Sequence, residues 1–163
     1  MIILGIDPGS NTTGYGVLEC RANRFQVIEA GPIRLRRKES IGERLWALSR
    51  EVEALLLKHK PDSISLEKVF HGVNFNATLH LGYVRGAILL LAAKHAVPLA
   101  EYASTEVKKS VTGYGRADKA QVAEMVRILL NLREPPKPHD VSDALALAIC
   151  HAHLSPTLAR YKT

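Results

Sequence analysis

The sequence predicts a single α/β domain built on a mixed five-stranded sheet flanked by helices. Three observations carry that reading. Short β-branched runs fill the first third, strand and helix patterns alternate after it, and the chain has 163 residues, the length of one ordinary domain. Hydrophobic residues make up 47% and charged residues 23%, enough to bury a core without disulfide or metal staples. No internal repeat or low-complexity segment divides the chain. One domain over 1–163 is therefore expected, with a flexible tail from about residue 155.

The first strand is the apolar run over residues 2–6, which Asp7-Pro8-Gly9 breaks. Residues 14–18 and 26–33 resume β-branched content, with Arg21-Ala22-Asn23-Arg24 as a hairpin-like link. Two such short connections make the first three strands antiparallel. A helix follows. Ser40 and Glu43 have capping-box spacing, Ile41, Leu45, Leu48, Val52, Leu55 and Leu56 repeat at three or four residues, and Lys60-Pro61-Asp62 ends the pattern. Residues 63–66 form a brief strand leading into Glu67. Leu81, Val84, Ile88 and Leu91 mark a second helix, and residues 97–100 a last strand around Pro98. Helical crossovers return the chain in the same direction, so the first, fourth and fifth strands are parallel. Val122, Met125, Val126 and Leu129 form one helical stripe, Pro135-Pro136 interrupts it, and Pro138 opens the last helix as its first residue.

Charge narrows the function. Lys plus Arg number 22 against 16 for Asp plus Glu, a net charge of +6. A chain this basic most often meets a polyanion, with nucleic acid the leading candidate. The longest apolar run, residues 86–93, stops at Lys94 and is too short to cross a bilayer, so no membrane role is expected. The N-terminus lacks a basic region and meets Asp7 early, which argues against a signal peptide. Two cysteines, Cys20 and Cys150, suit a reducing cytoplasm.

In a parallel α/β sheet, reactive groups gather beyond the carboxyl ends of the strands. Asp7 and Glu67 both stand there. Neighbouring carboxylates repel and raise each other's pKa unless a cation neutralises them, and oxygen-only ligands favour Mg2+ or Mn2+ over zinc. Each acid also fits a plainer role, Asp7 opening a Pro-Gly turn and Glu67 ending a strand in solvent. Asp140 and Asp143, spaced i, i+3 on one helical face, are equally the acids that a helix N-terminus attracts. Four acids converging in a basic protein suit a two-metal site for phosphoryl transfer.

The stretch 107–122 carries Lys108, Lys109, Arg116 and Lys119 against a single Asp118. It reads as a loop that follows a phosphate backbone, or as solvated surface. Phe70, in the polar stretch 68–76, is either a buried core residue or a stacking platform for an unpaired base. His139 lies four residues before Asp143, placed to carry a proton or merely to flank the helix start. Gly9 and Gly14 have P-loop spacing, but Tyr15-Gly16 stands where Lys and Ser/Thr would be required. These glycines, like those of Gly113-Tyr114-Gly115, are read as turns. No zinc motif or Ser or Cys nucleophile emerges; Cys150-His151-Ala152-His153 is only a loose cluster.

Four blocks, IDPGSNTTGYGV (6–17), SLEKVF (65–70), the basic stretch 107–122 and HDVSDALALAICHAH (139–153), run in this order over nearly the whole chain. Together they make it resemble the RuvC family of bacterial Holliday junction resolvases. The first block alone is shared with wider ribonuclease H and actin-like groups; the four together are specific. The resemblance implies a ribonuclease H-like fold and a cytoplasmic homodimer that binds a four-way DNA junction. It implies paired nicks in opposing strands during recombination and repair, leaving 5′-phosphate ends. The cofactor implied is Mg2+, two ions per subunit, with Mn2+ able to substitute. The family's metal-binding acids match Asp7, Glu67, Asp140 and Asp143. Its basic contacts match Lys108 and Lys119, the latter beside the reacting phosphate, and its stacking aromatic matches Phe70. Lys109 and Arg116 enter as phosphate contacts from charge alone. Some relatives carry histidine in place of the third acid; this chain keeps Asp140, with His139 just before it. The family further implies partnership with the branch-migration proteins RuvA and RuvB.

Overall fold

Alternation along the first strand, β1 (Ile2–Asp7), puts Leu4 and Ile6 on one face and Ile3 on the other. All three are buried, so this strand is covered on both sides and forms the middle of a layered structure. The computed structural model describes residues 1–21, 24–68 and 75–155. After β1 come β2 (Thr12–Arg21), β3 (Arg24–Arg34), α1 (Ile41–His59), β4 (Ser63–Glu67), α2 (Phe75–Lys94) and β5 (Leu99–Tyr102). Helices α3 (Ser104–Thr112), α4 (Lys119–Leu129) and α5 (His139–Leu154) complete the described chain. The sheet runs β3-β2-β1-β4-β5, with β1, β2 and β3 antiparallel and β1, β4 and β5 parallel, as the sequence predicts.

One face of the sheet is covered by α1 and α2, through Leu48, Val52, Leu55 and Leu56 of the first and Val84, Ile88 and Leu91 of the second. Ser40 and Glu43 cap α1 reciprocally, closing the orphaned donors at its start. On the other face α5 lies against the sheet, supported by α3 and α4 through Val107, Val111, Val122 and Val126.

The approach of α5 to the sheet is set by glycine. A Cβ on Gly5 would come within 2.0 Å of the Ala144 carbonyl oxygen, and one on Gly14 within 1.9 Å of that of Asp140. Only residues without a side chain let the helix backbone sit this close. Gly14 is therefore not the turn residue that the sequence suggests once the P-loop spacing fails; it lies inside β2, opposite Asp7.

Three further expectations need correction. The basic stretch 107–122 is no loop: α3 and α4 take up most of it, joined by a tight turn with Gly113 in the left-handed conformation at φ 78°. Val107 and Val111 bury one face of α3, a repeat too short to stand out among the cations. The last strand begins at Leu99 rather than 97, because Pro98 has no N–H to give the ladder and only accepts from Ile64. Pro138 caps α5 from outside instead of serving as its first residue.

Helix α2 has 20 residues and a mean hydropathy of 1.2, long and apolar enough by composition alone to cross a membrane. Its Arg85 is ion-paired with Glu101 of β5, and Val84, Ile88, Leu91 and Ala92 are buried in the core described above.

Candidate functional site

Two parallel strands set the first half of the site. Ile6 pairs with Leu66, so Asp7 and Glu67 are the next residues on adjacent strands, each held by a fully buried neighbour. The second half comes from the first turn of α5. Because Gly14 pairs with Asp7 and receives the Asp140 backbone directly, that turn is pressed against the same sheet edge. Asp143 follows one turn later on the same face.

Three of the four acids line a cavity of about 250 Å³. Asp7, Glu67 and Asp143 line it, with Lys108 of α3, Lys119 of α4 and Ser104; Val107, Val122 and Leu147 form its apolar walls. Asp140 is not among the lining residues, yet its charge acts on Asp7. Lys119 Nζ donates to Asp143 Oδ2 at 3.0 Å and supplies a positive charge on the cavity wall.

Electrostatics single out Asp7. Burial, then the charges of Asp143, Glu67 and Asp140, push its carboxyl from 3.8 up to about 8, with Lys119 pulling weakly the other way. Burial also raises Glu67, opposed by hydrogen bonds from Ser104 and Asp7. Lys119 is raised in turn by its bond to Asp143. In a protein of net charge +6, the cavity is a local pool of negative charge.

Among the described residues, no three His, Cys, Asp or Glu side chains form a ready-made metal cage. The acids share a field rather than a closed shell. As a donor set they nevertheless fit a hard divalent cation. They offer oxygen alone, and their charges add to burial in raising Asp7, a penalty that a bound cation would relieve.

Of the other residues singled out from sequence, Lys108 and Lys119 reach the cavity, whereas Lys109 and Arg116 are exposed away from its lining. His139, the exposed first residue of α5, is likewise outside the lining. Phe70 lies outside the described residues. Sequence reasoning missed Ser104. A serine opening a helix reads as a cap, which hides its reach to Glu67.

Comparison with known proteins agrees with this geometry. A family model described as crossover junction endodeoxyribonuclease RuvC matches residues 3–151. The RuvC protein of Alkaliphilus oremlandii (strain OhILAs) is 46% identical over 153 residues, covering 94% of this chain and 93% of that protein. The RuvC of Ruminiclostridium cellulolyticum is 47% identical over 153 residues, with coverages of 94% and 92%. Among solved structures, Thermus thermophilus RuvC in complex with Holliday junction substrate superposes with a TM-score of 0.89 at 32% identity, covering 93% of each chain. The mixed sheet and its flanking helices are thus a ribonuclease H-like fold.

Proposed function

The chain belongs to the RuvC family of crossover junction endodeoxyribonucleases, and from that premise we infer how its own residues perform the reaction. It is a Holliday junction resolvase, an endonuclease that hydrolyses phosphodiester bonds in four-way DNA junctions during recombination and repair. The observation that carries the mechanism is the meeting of Asp7, Glu67, Asp143 and Lys119 around one cavity at the strand ends, where burial and the neighbouring acids raise the Asp7 carboxyl to about 8. Such a site gains most from binding positive charge.

Asp7, Glu67, Asp140 and Asp143 would hold Mg2+, two ions per subunit, with Mn2+ able to substitute. When bound, the metal supplies Lewis acidity and lowers the pKa of water. The remaining work belongs to the protein. Strand ends hold Asp7 and Glu67 rigidly, and Ser104 beside Glu67 in the cavity favours its charged form. Val107, Val122 and Leu147 restrict water around the scissile phosphate. Lys108 seats a phosphate at the cavity wall, with the exposed Lys109 and Arg116 as further phosphate contacts, and the family assigns Phe70 the stacking of a base. Lys119 places its ammonium where negative charge grows on phosphorus oxygens in the transition state. Water oxygen bonds to phosphorus as the bond to the 3′ oxygen breaks, leaving a 5′-phosphate and a 3′-hydroxyl.

A four-way junction is nearly two-fold symmetric, so a homodimer would set two equal sites on opposing strands. Phe75 is 77% exposed and Leu90 70% exposed on α2, with Leu79 and Tyr83 on the stripe between them. Neither Gly82 nor Gly86 has a neighbour within 4 Å of where a Cβ would be. An apolar face this open is our candidate dimer surface. Partnership with RuvA and RuvB, and a cytoplasmic location, follow from the family alone.

The test is a labelled synthetic four-way junction incubated with the protein, with and without Mg2+. Paired nicks across the junction, dependent on the metal and not made in a linear duplex of the same sequence, are expected. Cutting of linear duplex at the same rate, or cutting in chelator, overturns the mechanism.

A further inference from the structure

Between Arg34 and Arg50 the chain carries six cations against two carboxylates, so this segment holds four of the molecule's six net positive charges. The concentration has a built geometry. Arg34, Arg36, Arg37 and Lys38 are exposed, while Leu35 between them is buried and pins the segment to the core. The Leu35 N–H donates to the Asn11 carbonyl at 2.9 Å, and Arg44 Nη2 donates to Asn11 Oδ1 at 3.3 Å. Asn11 lies in the connection from β1 to β2, four residues past Asp7, so the cations crowd the same sheet edge as the acidic cavity. Strand β3, from which they emerge, is two places from β1, about 10 Å at ordinary strand spacing.

The two carboxylates leave most of this charge free. Glu39 meets Arg36 at 3.5 Å, a loose contact in solvent, and Glu43 is engaged with Ser40. Among the described residues, Arg34, Arg37 and Lys38 meet no carboxylate. A second feature adjoins the cations. Trp46, the only tryptophan, is 68% exposed, and Gly42, Trp46 and Arg50 share one exposed face of α1 at i, i+4 spacing. An indole left in water beside unpaired guanidinium groups suits a surface that is covered by a polyanion.

We propose that residues 34–50 form a second DNA-holding surface, which grips the duplex arm flanking the cut. It emerges from β3, one edge strand of the sheet, whereas α3 with Lys108 follows directly on β5, the other edge strand. The inference rests on the nuclease reading above. The expected contacts are to phosphate, so this surface adds affinity and orients the arm without choosing the bases cut.

Each phosphate contact contributes about 0.9 to the slope of log affinity against log salt. The protein with Arg36→Ala, Arg37→Ala and Lys38→Ala combined should therefore bind a four-way junction with a slope shallower by about 2–3 units than the unaltered protein. Lys60→Ala, which removes a cation at the opposite end of α1, should leave the slope unchanged. In the unaltered protein, Trp46 emission should be quenched as junction DNA is added. An unchanged slope in the triple variant, or unmoved Trp46 emission at saturating junction, overturns the proposal. Unaltered protein that neither binds nor cuts the junction would instead sink the nuclease reading, and this surface with it.

Discussion

Lys119 and Asp143 meet at 3.0 Å across 24 positions of chain, joining the first residue of α4 to the first turns of α5. The pair sits on the wall of the acidic cavity, and the bond holds Lys119 above the ordinary lysine range. Lys119 thus stays charged at every working pH and, among the described residues, is the cation that lowers the field on both Asp7 and Glu67.

Replacing it should therefore slow the chemical step more than it weakens binding. For Lys119→Met we expect single-turnover cutting to fall by about 10²–10³, the usual loss when one preorganised stabilising donor is removed. Junction affinity should fall only by one phosphate contact's salt dependence. A single-turnover rate equal to the unaltered protein's would take Lys119 out of the mechanism.

The raised Asp7 pKa carries a stability consequence in chelator. The unfolded chain releases this proton near 3.8 and the folded chain near 8. Between those values the native state binds more protons, so stability falls as pH rises through the window and levels off above it. Asp7→Asn removes the titration. We expect the variant to unfold at higher temperature than the unaltered protein at pH 8.5, by about 2–8 °C for a gain of about 1–2 kcal/mol, and to lose that advantage at pH 4. The same variant should bind the junction but not cut it in Mg2+. Parallel melting curves that decline with pH to the same extent would show that Asp7 does not carry this field.

The strand directions and the strand-end acids are legible in the sequence, because period-two runs, their breakers and the lengths of their connections are local signals. Asp7 and Glu67 are placed by the ends of the runs at 2–6 and 63–66, and the structure sets them on adjacent strands. Helix α3 is not legible, since its apolar face rests on Val107 and Val111 among lysines. The roles of Gly5 and Gly14 are invisible for a different reason. Their constraint comes from α5, more than 120 residues away in the chain, and no local pattern encodes a close approach. The Arg34–Lys38 cations pass unnoticed because alternation with buried Leu35 makes them look like the end of a strand.

That close approach is itself testable. In Gly14→Ala the new methyl would lie 1.9 Å from the Asp140 carbonyl oxygen, and backbone cannot step aside without moving the first turn of α5. We expect a loss of about 1–3 kcal/mol and a larger loss of cutting, because Asp140 and Asp143 move with the helix. Gly42→Ala is the counterpart. Its methyl meets nothing within 4 Å in helix α1, so the change should add about 0.5–1 kcal/mol by helix propensity. Denaturant unfolding of both proteins reads the contrast, and two variants of equal stability would mean that the glycine contact does not set the helix position.

If the exposed α2 face joins two protomers as proposed, breaking it should unpair the cuts. Tyr83 and Leu90 stand 42% and 70% exposed, on a helix whose opposite side is already used by the core. Leu90→Glu places a charge at the C-terminal end of the candidate interface without touching Val84, Ile88 or Leu91, the residues that hold α2 to the sheet. Burying an unpaired carboxylate is costly, so the dimer should dissociate while each protomer stays folded. Sedimentation should report a dimer for the unaltered protein and a monomer for the variant. On a junction built into a small supercoiled circle, the variant should leave singly nicked circles instead of linear product, since the second strand must wait for an independent encounter. A Leu90→Glu protein that sediments as a dimer and still linearises the circle in one binding event would place the interface elsewhere.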